Sequence, residues 1–323
     1  MSKDAVDFRR SSRKAKRRSV SNNCFPRIRK RSGHQRSAVA YVLLAGFLSA
    51  ICLAGDITVP APPNKAQAAE IPFSLRQGYM ILVEGRVADL DRLNLVIDTG
   101  TNPSMIDKSI SDKLNLQGIQ RGLSLFNKQL SSETVMLPEL ELGSLHRVNL
   151  PVMVADFSKI GKQLGVRVDG VIGLDVLGAT NFTIDYQRSR LLFHASQQRH
   201  CAPFAAGPQF ISVNLKTGGK DLRMLLDTGT PHLILFSDSL RNLDYSWSAA
   251  TGTGQNISGT VAYETVILPR ARLGGEDFGP QRVSVVASQK SREPVYDGLI
   301  GVAFLRPKQL SFDFDRQILG WSN

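Results

Sequence analysis

A short phrase written twice constrains this chain more than any other feature. Val96-Ile97-Asp98-Thr99-Gly100-Thr101 is matched by Leu225-Leu226-Asp227-Thr228-Gly229-Thr230, with the two aspartates 129 positions apart. Each Asp follows three apolar residues, Leu95-Val96-Ile97 and Met224-Leu225-Leu226, which read as a buried strand. Each is followed by Thr-Gly, and a glycine there lets the backbone turn sharply away from the strand end. A carboxyl group presented at a strand end, once in each half, predicts two acids meeting at one site.

The repeat extends well beyond that phrase. Residues 168–193 align with 296–321, so Asp169-Gly170-Val171-Ile172-Gly173 matches Asp297-Gly298-Leu299-Ile300-Gly301 at an offset of 128. Leu142-Gly143 matches Leu273-Gly274 at an offset of 131. The chain therefore reads as two structural copies, 73–193 and 209–323, joined by a connector at 194–208 whose Pro, Ala and polar content suits a linker. Short apolar stretches alternate with Gly- and Asp-marked turns, and long helical periodicity is absent, which predicts an all-β, or mainly β, protein. Short helices are expected at 107–116, 175–177, 237–243 and 303–305. Each copy ends in a strand–turn–strand pattern, expected to close the sheet beneath its own carboxylate.

Charge is confined to one end. The chain carries 40 Lys and Arg against 28 Asp and Glu, a formal +12. Thirteen of the basic residues lie within 1–37 beside only Asp4 and Asp7, which leaves the remainder at +1. No basic stripe interleaved with aromatics follows residue 60, which argues against nucleic-acid binding by the folded part. After the basic tail, residues 38–55 form an apolar run of eighteen with no charge. Its length is near the minimum for a membrane-spanning helix, and the basic residues before it orient the N-terminus to the cytoplasm and the rest outward. Two outcomes follow: an uncleaved signal anchor in the cytoplasmic membrane, or a signal peptide removed at Ala66-Gln67-Ala68 to leave a periplasmic or secreted protein. The distance of that small-x-small site from the apolar run favours the anchor. Residues 56–72, rich in Pro and Ala, read as a linker.

The three cysteines are Cys24, Cys52 and Cys201, so no disulfide can close within the part after residue 56, and no metal site can be built from thiols there. The five histidines (34, 146, 194, 200 and 232) show no paired metal-ligand spacing, and neither metal nor cofactor is expected. Ser104 has no His or Asp partner at a recognisable spacing, which disfavours a serine hydrolase. Asp169, Asp297, Asp185 and Asp313 also recur between the copies. Turn geometry accounts for the Asp-Gly pairs better than chemistry does, and the other two read as structural.

With both signatures in hand, the chain resembles aspartic proteases of the retropepsin and pepsin type. In that family each lobe contributes one Asp-Thr-Gly loop, and an apolar-apolar-Gly strand threads beneath it. Here Asp98 is followed by Val171-Ile172-Gly173, and Asp227 by Leu299-Ile300-Gly301. Each copy is about the size of one retropepsin subunit, so the chain is similar to a covalently joined retropepsin dimer, and to the bacterial exported or membrane-linked members of the group. The resemblance implies a bilobal fold of two pseudo-twofold-related β-barrel lobes with short helices, active as a monomer on a polypeptide substrate.

What the resemblance assigns is specific. Asp98 and Asp227 are the catalytic pair. Thr99 and Thr228 hydrogen-bond across the lobes, and Gly100 and Gly229 permit the turn. Thr101 and Thr230 place hydroxyls near the carboxylates and favour an acidic optimum. A mobile flap is expected at 250–265, with Tyr263 beside the pair. The equivalent stretch of the first copy, 122–137, has a single Gly and no Tyr, a departure from the pepsin pattern. The chemistry explains why two copies are needed. Two carboxyl groups within hydrogen-bond reach share one proton and titrate as a pair. One takes a proton from a water held between them, while the other donates to the peptide carbonyl oxygen. Pseudo-symmetry leaves open which is acid and which is base. The competing reading is a catalytically silent protein of this fold that binds peptide segments in its cleft.

Overall fold

A computed structural model describes residues 70–125, 128–207, 210–256, 259–288 and 296–323. The expected basic tail (1–37), apolar run (38–55) and most of the linker lie outside the described residues. Among the described residues, no helix is long and apolar enough to cross a membrane.

The first lobe opens with β1 (Glu70–Arg76), β2 (Met80–Val87) and β3 (Leu90–Ile97), an antiparallel meander that delivers Asp98. Then come β4 (Met105–Asp107) and α1 (Lys108–Lys113), the helix capped by the Asp107 side chain accepting from Ser109 N. A long hairpin of β5 (Gly118–Leu125) and β6 (Lys128–Leu142) leads to β7 (Leu145–Ala155) and α2 (Ser158–Leu164). The lobe closes with β8 (Gly170–Ile172), α3 (Leu174–Leu177), β9 (Phe182–Asp185) and β10 (Arg190–Leu192).

The second lobe repeats this order. β11 (His200–Ala206), β12 (Ile211–Thr217) and β13 (Lys220–Asp227) form the meander, and β14 (Leu233–Phe236) runs into a 3₁₀ turn at Ser237–Leu240. The hairpin is β15 (Ser246–Asn256) with β16 (Gly259–Leu268). After it come β17 (Ala271–Leu273), β18 (Glu276–Asp277) and β19 (Gln281–Val286). β20 (Gly298–Gly301), α4 (Val302–Leu305), β21 (Gln309–Asp313) and β22 (Ile318–Ser322) complete the chain. The fold is thus all-β and two-lobed, with short helices only.

The unbroken apolar run before Asp98 has a packing reason. Leu95 and Ile97 enter the main core, whereas Val96 enters a second cluster with Leu82, Met105, Met153, Phe157, Leu164, Val168 and Val171. A strand covered on both faces cannot alternate apolar with polar. β8 shares the plan, with Val171 in the second cluster and Ile172 in the first. Helix α2 covers that second cluster through Leu164 and ends at Gly165, whose φ of 66° suits the left-handed cap. The sequence reading did not anticipate α2, because seven residues are too few to display a helical period.

The terminal hairpins do not close the sheet beneath each carboxylate separately. They join across the lobes. β9 pairs antiparallel with β21 through Phe182↔Phe312, Thr183↔Ser311 and Ile184↔Leu310. At the repeat offset of 128, Phe182 corresponds to Leu310 and Ile184 to Phe312, so this register maps onto itself. Thr183 and Ser311 therefore sit on the pseudo-twofold axis, their hydroxyls 3.1 Å apart. The full order is β1-β10-β9-β21-β22-β11, one six-stranded antiparallel sheet spanning both lobes.

Its two edge strands fall where linkers were expected. Glu70–Pro72 pairs with β10, and residues 200–203 of the connector pair with β22 before 204–206 pass to β12. Within the connector, Ala202 and Phe204 are buried while Pro203 and Ala205 are exposed, which is strand alternation hidden by a prolyl-alanyl composition.

Candidate active site

The two signature loops hang from parallel strand pairs. β3 runs beside β8, and the Asp98 N–H donates to Ile172 O at 3.0 Å. β13 runs beside β20 in the same way, with Asp227 opposite Gly301. The under-loop glycines are obligatory. A Cβ at Gly173 would lie 2.2 Å from the Thr101 carbonyl oxygen, and one at Gly301 would lie 2.4 Å from that of Thr230. Only glycine lets the supporting strand approach the loop so closely. Leu174 N–H then donates to Thr101 O at 2.9 Å, and Val302 N–H to Thr230 O at 3.2 Å. Val171, Ile172, Leu299 and Ile300, buried beneath the loops, fix both supports in the core.

Four hydrogen bonds tie one loop to the other. The Thr99 hydroxyl donates to Leu226 O (2.8 Å) and accepts from Thr228 N–H (3.1 Å). Reciprocally, the Thr228 hydroxyl donates to Ile97 O (3.1 Å) and accepts from Thr99 N–H (3.0 Å). Both threonines are fully buried. Each hydroxyl thus satisfies a donor and an acceptor of the other lobe that would otherwise be stranded in the interior.

This lock brings the carboxyls together. A Cβ on Gly100 would sit 2.5 Å from Asp227 Cγ, and one on Gly229 would sit 2.7 Å from Asp98 Cγ. Each carboxyl therefore lies against the glycine of the opposite loop, and the two acids are within hydrogen-bond reach. The Gly100 N–H donates to Asp98 Oδ1 at 2.8 Å, and the Gly229 N–H to Asp227 Oδ1 at 2.7 Å.

Beyond these shared bonds the pair is unequal. The Thr101 hydroxyl donates to Asp98 Oδ2 at 2.7 Å. The Thr230 hydroxyl makes no such bond among the described residues, and its backbone N–H serves Asp227 instead. The symmetric hydroxyl placement expected from sequence is therefore corrected. Both aspartates keep some solvent contact through the cleft, yet protein encloses the Asp227 carboxyl on most sides. That desolvation, followed by the facing Asp98 charge, holds the Asp227 carboxyl well above the ordinary range. The pair therefore keeps a shared proton beyond the ordinary carboxyl range.

Sequence reasoning missed Tyr79, at the β1–β2 turn. Its phenol is pushed up by desolvation, then by the charges of Asp227 and Asp98. One signal was present: Tyr79 lies two residues before Ile81, which pairs with Ile97 beside the catalytic phrase.

The remaining residues singled out from the sequence do other work. Asp169 accepts from Asn94 N–H at 2.8 Å while its own N–H donates to Asn94 O at 2.9 Å, and Asp297 does the same with Arg223 at 2.7 and 2.8 Å. Their glycines begin strands rather than turns, so strand pinning replaces the turn explanation. Asp185 and Asp313 accept from Arg188 N–H (2.8 Å) and Arg316 N–H (3.0 Å) inside the terminal hairpins. His232 is exposed, and its carbonyl accepts from Gly301 N–H at 3.1 Å.

Each lobe carries a long hairpin, β5 with β6 and β15 with β16, and Tyr263 lies on the second. Its hydroxyl would be 2.5 Å from a Cβ at Gly252, the residue paired with it, so the ring lies across that glycine. Glu139, Glu141 and His146 form a group of potential metal ligands. Arg86 donates to Glu141 at 2.9 Å and also pairs with Glu139, and His146 Nε2 lies 2.6 Å from Glu139, so side chains of the protein engage these carboxylates.

Fold and site together define a two-lobed, retropepsin-like protein with one carboxyl contributed by each lobe. A family model described as aspartyl protease matches residues 83–176 and again 213–304, each match holding one Asp-Thr-Gly loop and its supporting glycine. These tandem matches cover more than half of the chain, which belongs to the aspartyl protease family. No match was found among the curated proteins.

Proposed function

We propose that this chain is an aspartic endopeptidase that hydrolyses peptide bonds with a water held between Asp98 and Asp227. The supporting observation is the paired carboxyl geometry, each acid pressed against the opposite loop's glycine and the loops locked by Thr99 and Thr228. In this reading Asp98, ionised and bonded to the Thr101 hydroxyl, takes a proton from the water. Asp227, protonated, donates to the carbonyl oxygen of the scissile bond. The resulting tetrahedral diol collapses as the amine leaves with a proton, so no covalent intermediate forms.

The test is hydrolysis of an unfolded polypeptide by the full-length protein between pH 3 and 7. Asp98→Asn and Asp227→Asn, each alone, are expected to lower the rate on the order of a thousandfold or more. Cleavage that survives either change would sink the shared-pair mechanism. Retention of the polypeptide without hydrolysis by the unaltered chain would favour the silent peptide-binding alternative.

The same reading places the two lobes outside the cytoplasm, tethered by residues 38–55 or released after cleavage, and active as a single chain. The support is the basic-then-apolar N-terminal pattern and the presence of both carboxyls in one chain. N-terminal sequencing separates an anchored form, which begins at residue 1, from a product beginning after Ala68.

A further inference from the structure

We propose that residues 194–198 of the connector form a clamp across the seam between the lobes. Ser196 and Gln198, with Thr183 and Ser311 beneath them, are then positioning residues that hold Asp98 and Asp227 at their working separation. This rests on the peptidase reading above for the use made of that separation, and it adds residues that lie outside both signature loops.

The seam strands alternate. Phe182, Ile184, Leu310 and Phe312 enter the core, so Thr183, Asp185 and Ser311 point to the other face of the sheet. A polar row on the outer face of a sheet is ordinarily wet, yet these three are only 1%, 1% and 2% exposed. The connector covers them and bonds to them. The Thr183 hydroxyl donates to His194 O at 2.8 Å. The Ser196 N–H is shared between Ser311 Oγ at 2.9 Å and Thr183 Oγ1 at 3.2 Å, so one backbone donor at the pseudo-twofold axis serves both lobes. The Gln198 amide donates to Ser196 Oγ at 2.7 Å and to Gln309 Oε1 at 3.2 Å. Gln309 of lobe 2 donates in turn to Asp185 Oδ2 of lobe 1 at 2.8 Å. Gly320 on β22 makes room for this arrangement, since a Cβ there would lie 2.9 Å from Gln198 Cγ.

The seam is also continuous with the supports of the catalytic loops. Thr183 follows Gly173 by ten residues, and Ser311 follows Gly301 by ten. Short helices α3 and α4 lie between, and their first residues, Leu174 and Val302, donate to Thr101 O and Thr230 O. Rotation of one lobe against the other at the seam therefore carries a support, its loop and its carboxyl together. β9 and β21 meet over only four residue pairs, which leaves such rotation to be restrained by other ties. The connector supplies one, because a buried polar network is rigid while every member keeps its partner and loosens when one is removed. Repulsion between like charges falls with distance, so a slight opening weakens the coupling that holds the shared proton.

The experiment uses the full-length protein with ¹³Cγ-labelled aspartate and the variants Thr183→Val, Thr183→Ser and Gln198→Ala. The signals of the pair are assigned by their loss in Asp98→Asn and Asp227→Asn. In Thr183→Val and Gln198→Ala the step that removes the shared proton is expected to move down by about 0.5 to 1 pH unit. Thr183→Ser keeps the hydroxyl and is expected to titrate like the parent. A step that stays fixed in both Thr183→Val and Gln198→Ala overturns the proposal, even where Tm falls, because the clamp is then structural alone. Thr183→Ser shifting as far as Thr183→Val overturns it as well. Should Thr183→Val fail to fold, Gln198→Ala decides by itself.

A second arm reads hydrolysis of oxidised insulin B chain by the same proteins. In Thr183→Val and Gln198→Ala kcat is expected to fall roughly three- to tenfold while KM stays within about twofold, since alignment of the acids is disturbed and the cleft is not. In an active parent, a kcat unchanged in both variants overturns the positioning role. If the parent hydrolyses nothing and the titration still responds, the peptidase reading fails alone and the clamp stands. If the parent hydrolyses the chain and the titration stays fixed, the clamp falls and the peptidase reading stands.

Discussion

Lobe 1 and lobe 2 hold the same carboxyl on the same loop, yet they brace that loop with different chemistry. In lobe 1 the Ser104 hydroxyl donates to Asp175 Oδ1 at 2.6 Å and accepts from the Gly173 N–H at 2.9 Å, while Ser104 N–H donates to Asp175 Oδ2 at 3.0 Å. The corresponding positions of lobe 2 are Leu233 and Ala303. There the Gly301 N–H turns to a backbone acceptor, His232 O at 3.1 Å, and the Ala303 N–H donates to Pro231 O at 3.0 Å. Leu233, freed from polar duty, is buried in the main core. The requirement is an acceptor at a fixed point for one glycine N–H, and a side chain or a carbonyl meets it equally well. The residue chosen then follows from what else must be filled.

Exchanging residues between the lobes should break this equivalence. The largest effect is expected from Leu233→Ser, which imports the lobe 1 residue where no carboxylate waits for it. It removes a buried side chain from the core and leaves a hydroxyl without its partner, at a cost of about 3 kcal/mol or more. The reverse deletion, Ser104→Ala, strands the Gly173 N–H and unpairs Asp175, and should cost about 1–3 kcal/mol. Thermal unfolding checks both. For a domain of this size each kcal/mol lowers Tm by about 2–4 °C. If Ser104→Ala and Leu233→Ser cost the same, or neither costs anything measurable, the two braces are not distinct.

Much of this plan was legible in the sequence because it is local and repeated. Asp98 and Asp227 each carry their apolar triplet before them and their turn glycine after them, and both supporting strands recur at matched spacing. Each of these signals lies within a handful of residues and needs no knowledge of what packs on top. The interlobe sheet was illegible for the opposite reason. Its edge strands, Glu70–Pro72 and His200–Pro203, pair with residues more than a hundred positions away, and their composition is that of a connector. Helix α2 was too short to announce a period. Tyr79 could be found only through the pairing register of β2 with β3. The inequality of Thr101 and Thr230 lies further out of reach still, since identical residues in identical phrases differ only in where their hydroxyls point.

That last inequality gives the smallest expected effect and the sharpest comparison. On the alkaline side, the proposed activity should end when the pair loses its shared proton. Burial and the facing charge hold that proton above the ordinary carboxyl range, so the active range reaches upward and the rate falls as pH rises through the raised value. On the acidic side, the proposed activity should begin when the pair gives up its first proton. The Thr101 hydroxyl, donating to Asp98 Oδ2, stabilises the singly ionised pair and so extends activity to lower pH. Thr101→Ala removes that donor, and the acidic limb of kcat/KM should move to higher pH by up to about one unit. The alkaline limb should stay in place, because in the proposed mechanism that step takes the proton from the other carboxyl of the pair. Thr230→Ala keeps the backbone N–H groups of Gly229 and Thr230 that serve Asp227, so neither limb should move. Equal shifts in the two variants would return the pair to symmetry and remove the reason for placing the proton on Asp227.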